Sequence, residues 1–469
     1  MEAQAQGAAV DPATKARVLL AAGIDLHRAG RAAEAVEAYG RAIECQPDLV
    51  EAYHNLGVAL RASGRPAAAI ACLRRALRLR PGHPATLASL GNALRAEGEA
   101  SAAVDLLRQA AAGDPRSPEI AVGLGLALRD AGRLDESAAA FTRALELRPD
   151  RKLVQIDRGV ARLLAGDLPG GFSDLALRHP PPIVPVRGRS WPRWDGGMLD
   201  GRHLLVRADD SAIDALRFAR FVPLAAARGV PVILEGPDEL LPLLETVEGT
   251  ARVVRRGGRF ANVAAEAPLA DLPRILGTTL ATIPAEVPYL KVPRGPRIDP
   301  PPAIPGRTRI GVAWRAAADE PDAEARSVPL ELFLSLAERT DVELLALESG
   351  GAPDIAAAGA GALVRDLGAA PGDFATLATA VAAMDLVIAA DAPAAHLAGA
   401  LGRPVWVLLP HAPDWCWMLG RTESPWYPTA WLFRQPAPGD WKRVMARVRK
   451  SLDAALDEGA GAETTPGGG

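Results

Sequence analysis

Cysteine is scarce: Cys45, Cys72 and Cys416 are the only three in 469 residues, and no two of them share a CxxC spacing. A zinc ribbon and a disulfide framework are thereby excluded. The simplest reading is three reduced thiols in a cytoplasmic protein. Charge of neither sign dominates, with 53 basic residues against 56 acidic ones and a net charge of −3. That speaks against a general nucleic-acid binder. No uninterrupted apolar run reaches roughly 18 residues, so no membrane span is predicted. The first residues, MEAQAQGAAV, lack the basic-then-apolar order of a signal peptide. Lysine is also rare, at five of the 53 cations; beside so much Ala, Gly and Pro this reflects genomic base composition. What the chain does have is 49% apolar residues, ample for sizeable cores. At about 100–200 residues per domain its length predicts two to four domains.

The first third is periodic. Gly23, Gly57, Gly91, Gly125 and Gly159 stand 34 residues apart, as do Gly30, Gly64, Gly98, Gly132 and Gly166. Pro47, Pro81, Pro115 and Pro149 keep the same step, and so do Ala42, Ala76, Ala110 and Ala144. Each unit reads as two helices. The first Gly lies inside helix A, where a side chain would block helix B; the second Gly ends helix A; the Pro stops helix B. Apolar positions such as Leu56, Leu60, Leu73 and Ala76 recur at helical spacing. This pattern resembles the tetratricopeptide repeat, with four full repeats over about residues 16–149 and a partial fifth to residue 168. The fifth departs from the pattern at Arg162 and Gly171 and is expected to cap the array. Such arrays curve around a concave groove that binds protein or peptide. His54 and Asn55 face outward beside the signature and read as a solvated helix face.

After about residue 170 the texture changes to Pro-rich segments and then to apolar runs alternating with helical patterns, which predicts βαβ units and parallel sheets. Strands are expected at 203–207, 230–235, 252–254, 308–314, 342–347, 385–390 and 404–409. Helices are expected at 213–228, 238–247, 330–339, 374–384 after the cap Asp373, 393–401 and 441–456; residues 276–283 are ambiguous. A linker at 292–305 separates two such blocks. The division is thus a flexible start over 1–15, an array over 16–168, one Rossmann-like half over 169–297, a second over 298–455, and a disordered tail over 456–469. A cleft between the halves faces the strand C-termini, where ligands bind in such folds.

The sharpest local signal is DLVIAADAPAAHLAGALGRPVWVLLP, residues 385–410. A strand ends at Ala390, Asp391 and Ala392 turn, and Pro393 suits the first position of a new helix. The free N–H groups and positive dipole end of that helix make a phosphate site, with His396 one turn in. The segment, with HAPDWCWMLGRTESPWYPTAWLFRQPAPGDW at 411–441, resembles the second half of GT-B glycosyltransferases, in particular the heptosyltransferase-like group, glycosyltransferase family 9, in forms fused to tetratricopeptide repeats. WDGGMLDGRHLLVR at 194–207, FARF at 218–221, GTTLATIPAEVPYL at 277–290 and RSVPL at 326–330 look like further landmarks of the same family.

The resemblance implies a nucleotide-diphosphate sugar as substrate, held by the second half, with no further cofactor and no metal. Asp391 and His396 match the family's Asp and His at that helix start. Trp314 and Arg315 match the loop beside the donor phosphates, and Arg326 and Ser327 match its Arg-Ser pair. Asp214 matches the Asp taken as general base. His411 and Asp414, at a strand C-terminus, are further donor-binding candidates, and Asp209 and Asp210 are substitutes for the base. Three departures stand out, one of them Arg315-Ala316 where the family has Gly-Asn after the Trp. The family's Gly-Leu-Gly-Asp loop reads Ser211-Ala212-Ile213-Asp214, which removes freedom and room at the ligand's approach. The Thr after Asp391 is Ala392, which removes a hydroxyl. Six of the nine tryptophans (Trp406, Trp415, Trp417, Trp426, Trp431 and Trp441) fall within 36 residues and read as an aromatic core, with Cys416 packed among them. No His or Cys pair stands at metal-ligand spacing. Two readings follow: a metal-independent transferase of a sugar to a protein or glycan acceptor, with repeats recruiting the partner, or a non-catalytic repeat scaffold carrying a degenerate GT-B body.

Overall fold

The computed structural model describes residues 11–178, 191–208, 211–294, 300–316, 323–367 and 372–457. The base substitutes Asp209 and Asp210, the centre of the proline linker, the Pro180–Pro185 stretch, the first ten residues and the tail beyond Asp457 lie outside these. The chain divides into two units, Met1–Arg162 and Leu163–Gly469.

The first unit is a run of antiparallel helix pairs: α1 (Pro12–Arg28), α2 (Ala32–Cys45), α3 (Val50–Ala62), α4 (Pro66–Leu79), α5 (Pro84–Ala96), α6 (Ala100–Gly113), α7 (Pro118–Asp130), α8 (Leu134–Leu147) and α9 (Lys152–Ala165), within which the division falls. The two glycine series do different work. Gly30, Gly64, Gly98, Gly132 and Gly166 all have positive φ, between 69° and 91°, as the turn out of each first helix requires. The other series permits close approach. A Cβ on Gly23, Gly57, Gly91 or Gly125 would lie 2.5–2.8 Å from the side chain of Tyr39, Leu73, Leu107 or Phe141 on the paired helix. Those large residues are themselves 34 apart and fully buried, so each repeat is locked by one glycine facing one large side chain. α1 begins at Pro12, where Asp11 accepts from the Thr14 N–H at 3.2 Å.

The second unit opens with α10 (Leu168–Leu175), which keeps the repeat register. Its Phe172 meets Phe218, Trp415 and Trp426 edge-on at 5.6–6.5 Å. β1 (His203–Arg207), α11 (Ala212–Phe218), α12 (Val222–Ala226), β2 (Val232–Gly236), α13 (Leu241–Leu244), β3 (Thr250–Arg255), β4 (Val263–Pro268) and α14 (Leu272–Ile275) follow. They build a parallel sheet of order β3-β2-β1-β4. The second half comprises β5 (Thr308–Ala313), α15 (Ala323–Arg326), α16 (Leu330–Phe333), β6 (Val342–Ala346), α17 (Ala352–Ala357), β7 (Val364–Asp366), α18 (Phe374–Ala382), β8 (Leu386–Ala390), α19 (Pro393–Ala400), β9 (Val405–Leu409), β10 (Ala430–Arg434) and α20 (Trp441–Asp457). Its sheet order is β10-β9-β8-β5-β6-β7, all parallel. That is the doubly wound order of a Rossmann sheet, with the chain reversing direction between β5 and β8.

Most of the expected strands form within a residue or two. The single helix expected over 213–228 does not. It breaks into α11, a 3-10 turn at Ala219–Phe221 and α12, because Pro223 lacks the N–H needed to continue the first turn. The helices expected at 238–247 and 330–339 likewise fall into short α and 3-10 pieces.

Candidate functional site

The reversal between β5 and β8 places two loops side by side at the C-terminal edge of the second sheet. After β8, Asp391 is 1% exposed and His396, in the first turn of α19, is fully buried. The His396 Nε2 lies 3.3 Å from one Asp391 carboxylate oxygen, and Arg326 of α15 donates to the other at 2.6 Å. On the far side of the ring the Tyr427 hydroxyl meets Nδ1 at 2.9 Å, and Trp417 packs against the ring at a tilt, with centroids 5.0 Å apart. Burial pushes the imidazole below its ordinary range, with the Arg217 charge adding to that and Asp391 opposing it. A neutral ring then donates from Nε2 to Asp391 and accepts from Tyr427 at Nδ1. Burial alone would raise the Asp391 carboxyl; the His396 hydrogen bond and the charge of Arg326 instead hold it well below the carboxylate range.

After β5, Trp314 is buried in the main core of this half. The Trp314 and Arg315 backbone N–H groups both donate to one oxygen of Glu348, at 3.0 and 2.9 Å. The Trp314 indole N–H donates to Asp354 at 2.7 Å, and the Arg315 guanidinium pairs with the same carboxylate at 2.5 Å. Burial pushes Glu348 up, against the two backbone donors. Ser327 does not face outward: its hydroxyl donates to the Ala323 carbonyl at 2.7 Å and accepts from the Ala316 N–H at 3.0 Å.

α11 lies against α19. Ser211 caps α11 by accepting from the Asp214 N–H at 3.2 Å. The Asp214 carboxylate is 3.6 Å from Arg217, whose buried guanidinium also pairs with Asp414 at 3.2 Å and lies over Trp415 at 4.8 Å. Asp414 in turn caps the 3-10 turn Trp415–Trp417 through the Cys416 N–H. Arg220 is buried too. It donates to the carbonyls of Arg217, Pro284 and Trp426 and, at 2.9 Å, to the Tyr289 hydroxyl, and it stacks on Tyr289, Tyr427 and Trp426.

The structure thus joins Asp391, His396 and Arg326 in one network and links Asp214 to Asp414 through Arg217. Trp314 and Arg315 form a separate pairing with Glu348 and Asp354. His411 takes part in neither; its backbone N–H is held by Gln435 at 3.1 Å and the residue is exposed. Five of the six clustered tryptophans are buried, Trp431 partly so, and Cys416 is buried among them. Sequence reasoning passed over Glu348, Asp354, Arg217, Arg220 and Tyr427. The signal available for the two arginines was their place in the otherwise apolar run LRFARFV.

The α19 start is also less open than its motif suggests. Ala392, Ala394 and Ala395 are buried, Pro393 supplies no donor, and the Ala395 N–H is already bonded to the Ala392 carbonyl at 3.0 Å. Among the described residues, no three His, Cys, Asp or Glu residues cluster as metal ligands, and no helix is long and apolar enough to cross a membrane.

The closed network carries a pH signature. A histidine whose folded pKa lies below its unfolded one contributes stability that is complete above about pH 6.5 and is lost as the pH falls. His396 is therefore expected to make stability drop as the pH falls below about 6.5, with a slope approaching about 1.4 kcal/mol per pH unit. Urea midpoints of the wild type and of His396→Gln across that range check this. Equal slopes for the two proteins would show that the ring does not titrate as argued.

Models of known families match the first part of the chain. Those described as tetratricopeptide repeat match residues 88–152, 122–180 and 48–116, and one described as TPR repeat matches residues 23–64. Helices α1–α10 form a tetratricopeptide-repeat solenoid. Among curated proteins, Protein FlbA of Caulobacter vibrioides is 26% identical over 338 residues, which is 65% of this chain and 55% of that protein. The chain therefore spans about half the length of that relative. Among solved structures, MamA MSR-1 C2 is 26% identical, with a TM-score of 0.31, over 35% of this chain and 96% of that one. YrrB, described as a TPR protein with an unusual peptide-binding site, is 18% identical, with a TM-score of 0.31, over 35% of this chain and 87% of its own. The tetratricopeptide repeats are followed by the parallel-sheet α/β region described above.

Proposed function

We propose that the protein is a partner-recruiting scaffold. The tetratricopeptide repeats present the binding surface, and the α/β unit is a non-catalytic body of GT-B type. The observation that carries this reading is charge compensation at the crevice. Arg217 is taken by Asp214 and Asp414, Arg315 by Asp354, and Arg326 by Asp391. The backbone donors of Trp314 and Arg315 are capped by Glu348. A nucleotide diphosphate would have to displace the chain's own carboxylates from the cations that a transferase directs at the leaving group. Asp214, the candidate base, already sits beside a guanidinium. The replaced glycines at Ser211 and Ile213 and the missing hydroxyl at Ala392 point the same way.

One observation favours the transferase: Asp391 and Arg326 lie at the reversal point of the second sheet, where doubly wound folds bind nucleotides. The two readings separate in thermal unfolding with UDP, GDP, ADP, CMP and their sugar conjugates. A ligand at ~100 times its Kd stabilises by about 2.7 kcal/mol. The scaffold reading expects no shift with any of them. A shift with one nucleotide, lost in Arg326→Ala, would overturn it in favour of the enzyme.

A further inference from the structure

From residue 52 to residue 96 the chain has no Asp or Glu, yet this stretch holds seven arginines. In later repeats, two arginines at equivalent positions are matched by nearby acids. Arg108, one repeat on from Arg74, pairs with Glu136, and Arg143, two repeats on from Arg75, pairs with Glu146 at 3.0 Å. On α4 this matching stops. Arg74, Arg75 and Arg78 are exposed over one turn of its C-terminal half, and none has a carboxylate within 4.0 Å among the described residues. Arg75 lies 6.0 Å over the Tyr53 ring. Arg41, at the same repeat position on α2 as Arg75 on α4, is exposed and likewise without a carboxylate partner among the described residues. The neighbouring acid, Glu51, is already engaged by Arg80 at 3.0 Å.

Unpaired, solvent-facing guanidinium groups at adjacent and i,i+4 positions form a row of forks suited to carboxylates. Resting on the scaffold reading, we propose that the exposed face of α4 that carries Arg74, Arg75 and Arg78 docks an acidic segment of a partner protein. Other polyanions fit this face less well. A membrane surface calls for large apolar side chains beside the cations, and the exposed large apolar residues described in the array, Val18 and Leu153, are not on α4. Single-stranded nucleic acid calls for open aromatic faces, and the one aromatic ring here, Tyr53, has Arg75 over it.

The test is fluorescence anisotropy of the full chain with a labelled Glu/Asp-only peptide, run beside phosphatidylserine vesicles and poly-uridine RNA. The expected result is saturable peptide binding that weakens with salt and falls at least about tenfold in R74E/R78E, a variant that keeps the wild-type unfolding midpoint. Asn92→Arg on α5, beside Gly123 of α7, should bind like the wild type. No peptide binding by the wild type, or capture of vesicles or RNA in its place, overturns the proposal. Loss of binding in Asn92→Arg but not in R74E/R78E also overturns it, and leaves the scaffold reading standing with the partner elsewhere in the array.

Discussion

Asp391→Ala should destabilise the second unit by about 3–5 kcal/mol, the usual cost of removing one member of a buried ion pair. Against a typical total of about 5–15 kcal/mol, that is enough to unfold a marginal protein. The substitution removes the carboxylate that Arg326 donates to and the acceptor of the His396 Nε2–H. Asp391→Asn should recover part of the loss, since the amide oxygen still accepts from one partner, but it removes the negative charge that faces the Arg326 guanidinium. The informative comparison is Asp391→Leu with Arg326→Met, which removes both charges. It should be markedly more stable than Asp391→Ala, because apolar replacement of a whole buried pair is often neutral or better. Urea unfolding followed by tryptophan fluorescence reports this directly, since Trp417 packs against His396. If the double replacement were no better than the single one, the pair would not be the source of the loss.

Arg220→Met should cost about 2–4 kcal/mol. The guanidinium satisfies three carbonyl oxygens and the Tyr289 hydroxyl, and each buried acceptor left unmet costs roughly 1–3 kcal/mol before relaxation. Tyr289 itself donates to the Leu216 carbonyl at 2.9 Å, and its backbone N–H meets the Ala400 carbonyl at 3.1 Å. Losing Arg220 therefore loosens the segment from Pro284 to Tyr289 along with the turn after α11. Hydrogen exchange at Tyr289 and Leu290 should rise beyond the change in global stability. Arg220→Lys should restore little, because an ammonium cannot reproduce the fork that reaches Pro284, Trp426 and Tyr289 together. Full recovery with Lys would mean that charge alone, and not geometry, holds this joint.

The array was legible in the sequence because every contact that defines it is local. The glycine of one helix and the large residue of the next are 16 positions apart (Gly57 and Leu73, for example) and recur unchanged. The α/β unit was legible only as strands and helices with the right alternation. β4 escaped notice because VAAEAP is poor in β-branched and aromatic residues. β7 is only three residues long, and β10 was absorbed into the tryptophan-rich run. The candidate site was half legible. The strand–turn–helix around Asp391 and His396 could be read from 12 consecutive residues, but its partners could not. Arg326 comes from 65 positions upstream, and Asp414 reaches Arg217 across 197. A motif read alone shows a donor as free, and only the folded chain shows which of its own carboxylates has already claimed it.

The lock of one glycine against one large side chain has a consequence for how such a chain can change. Each lock is complete within its own helix pair, so gaining or losing a block of 34 residues inside the array would preserve every remaining lock. The array is thereby free to lengthen or shorten in whole steps over evolutionary time while each helix pair keeps its own lock.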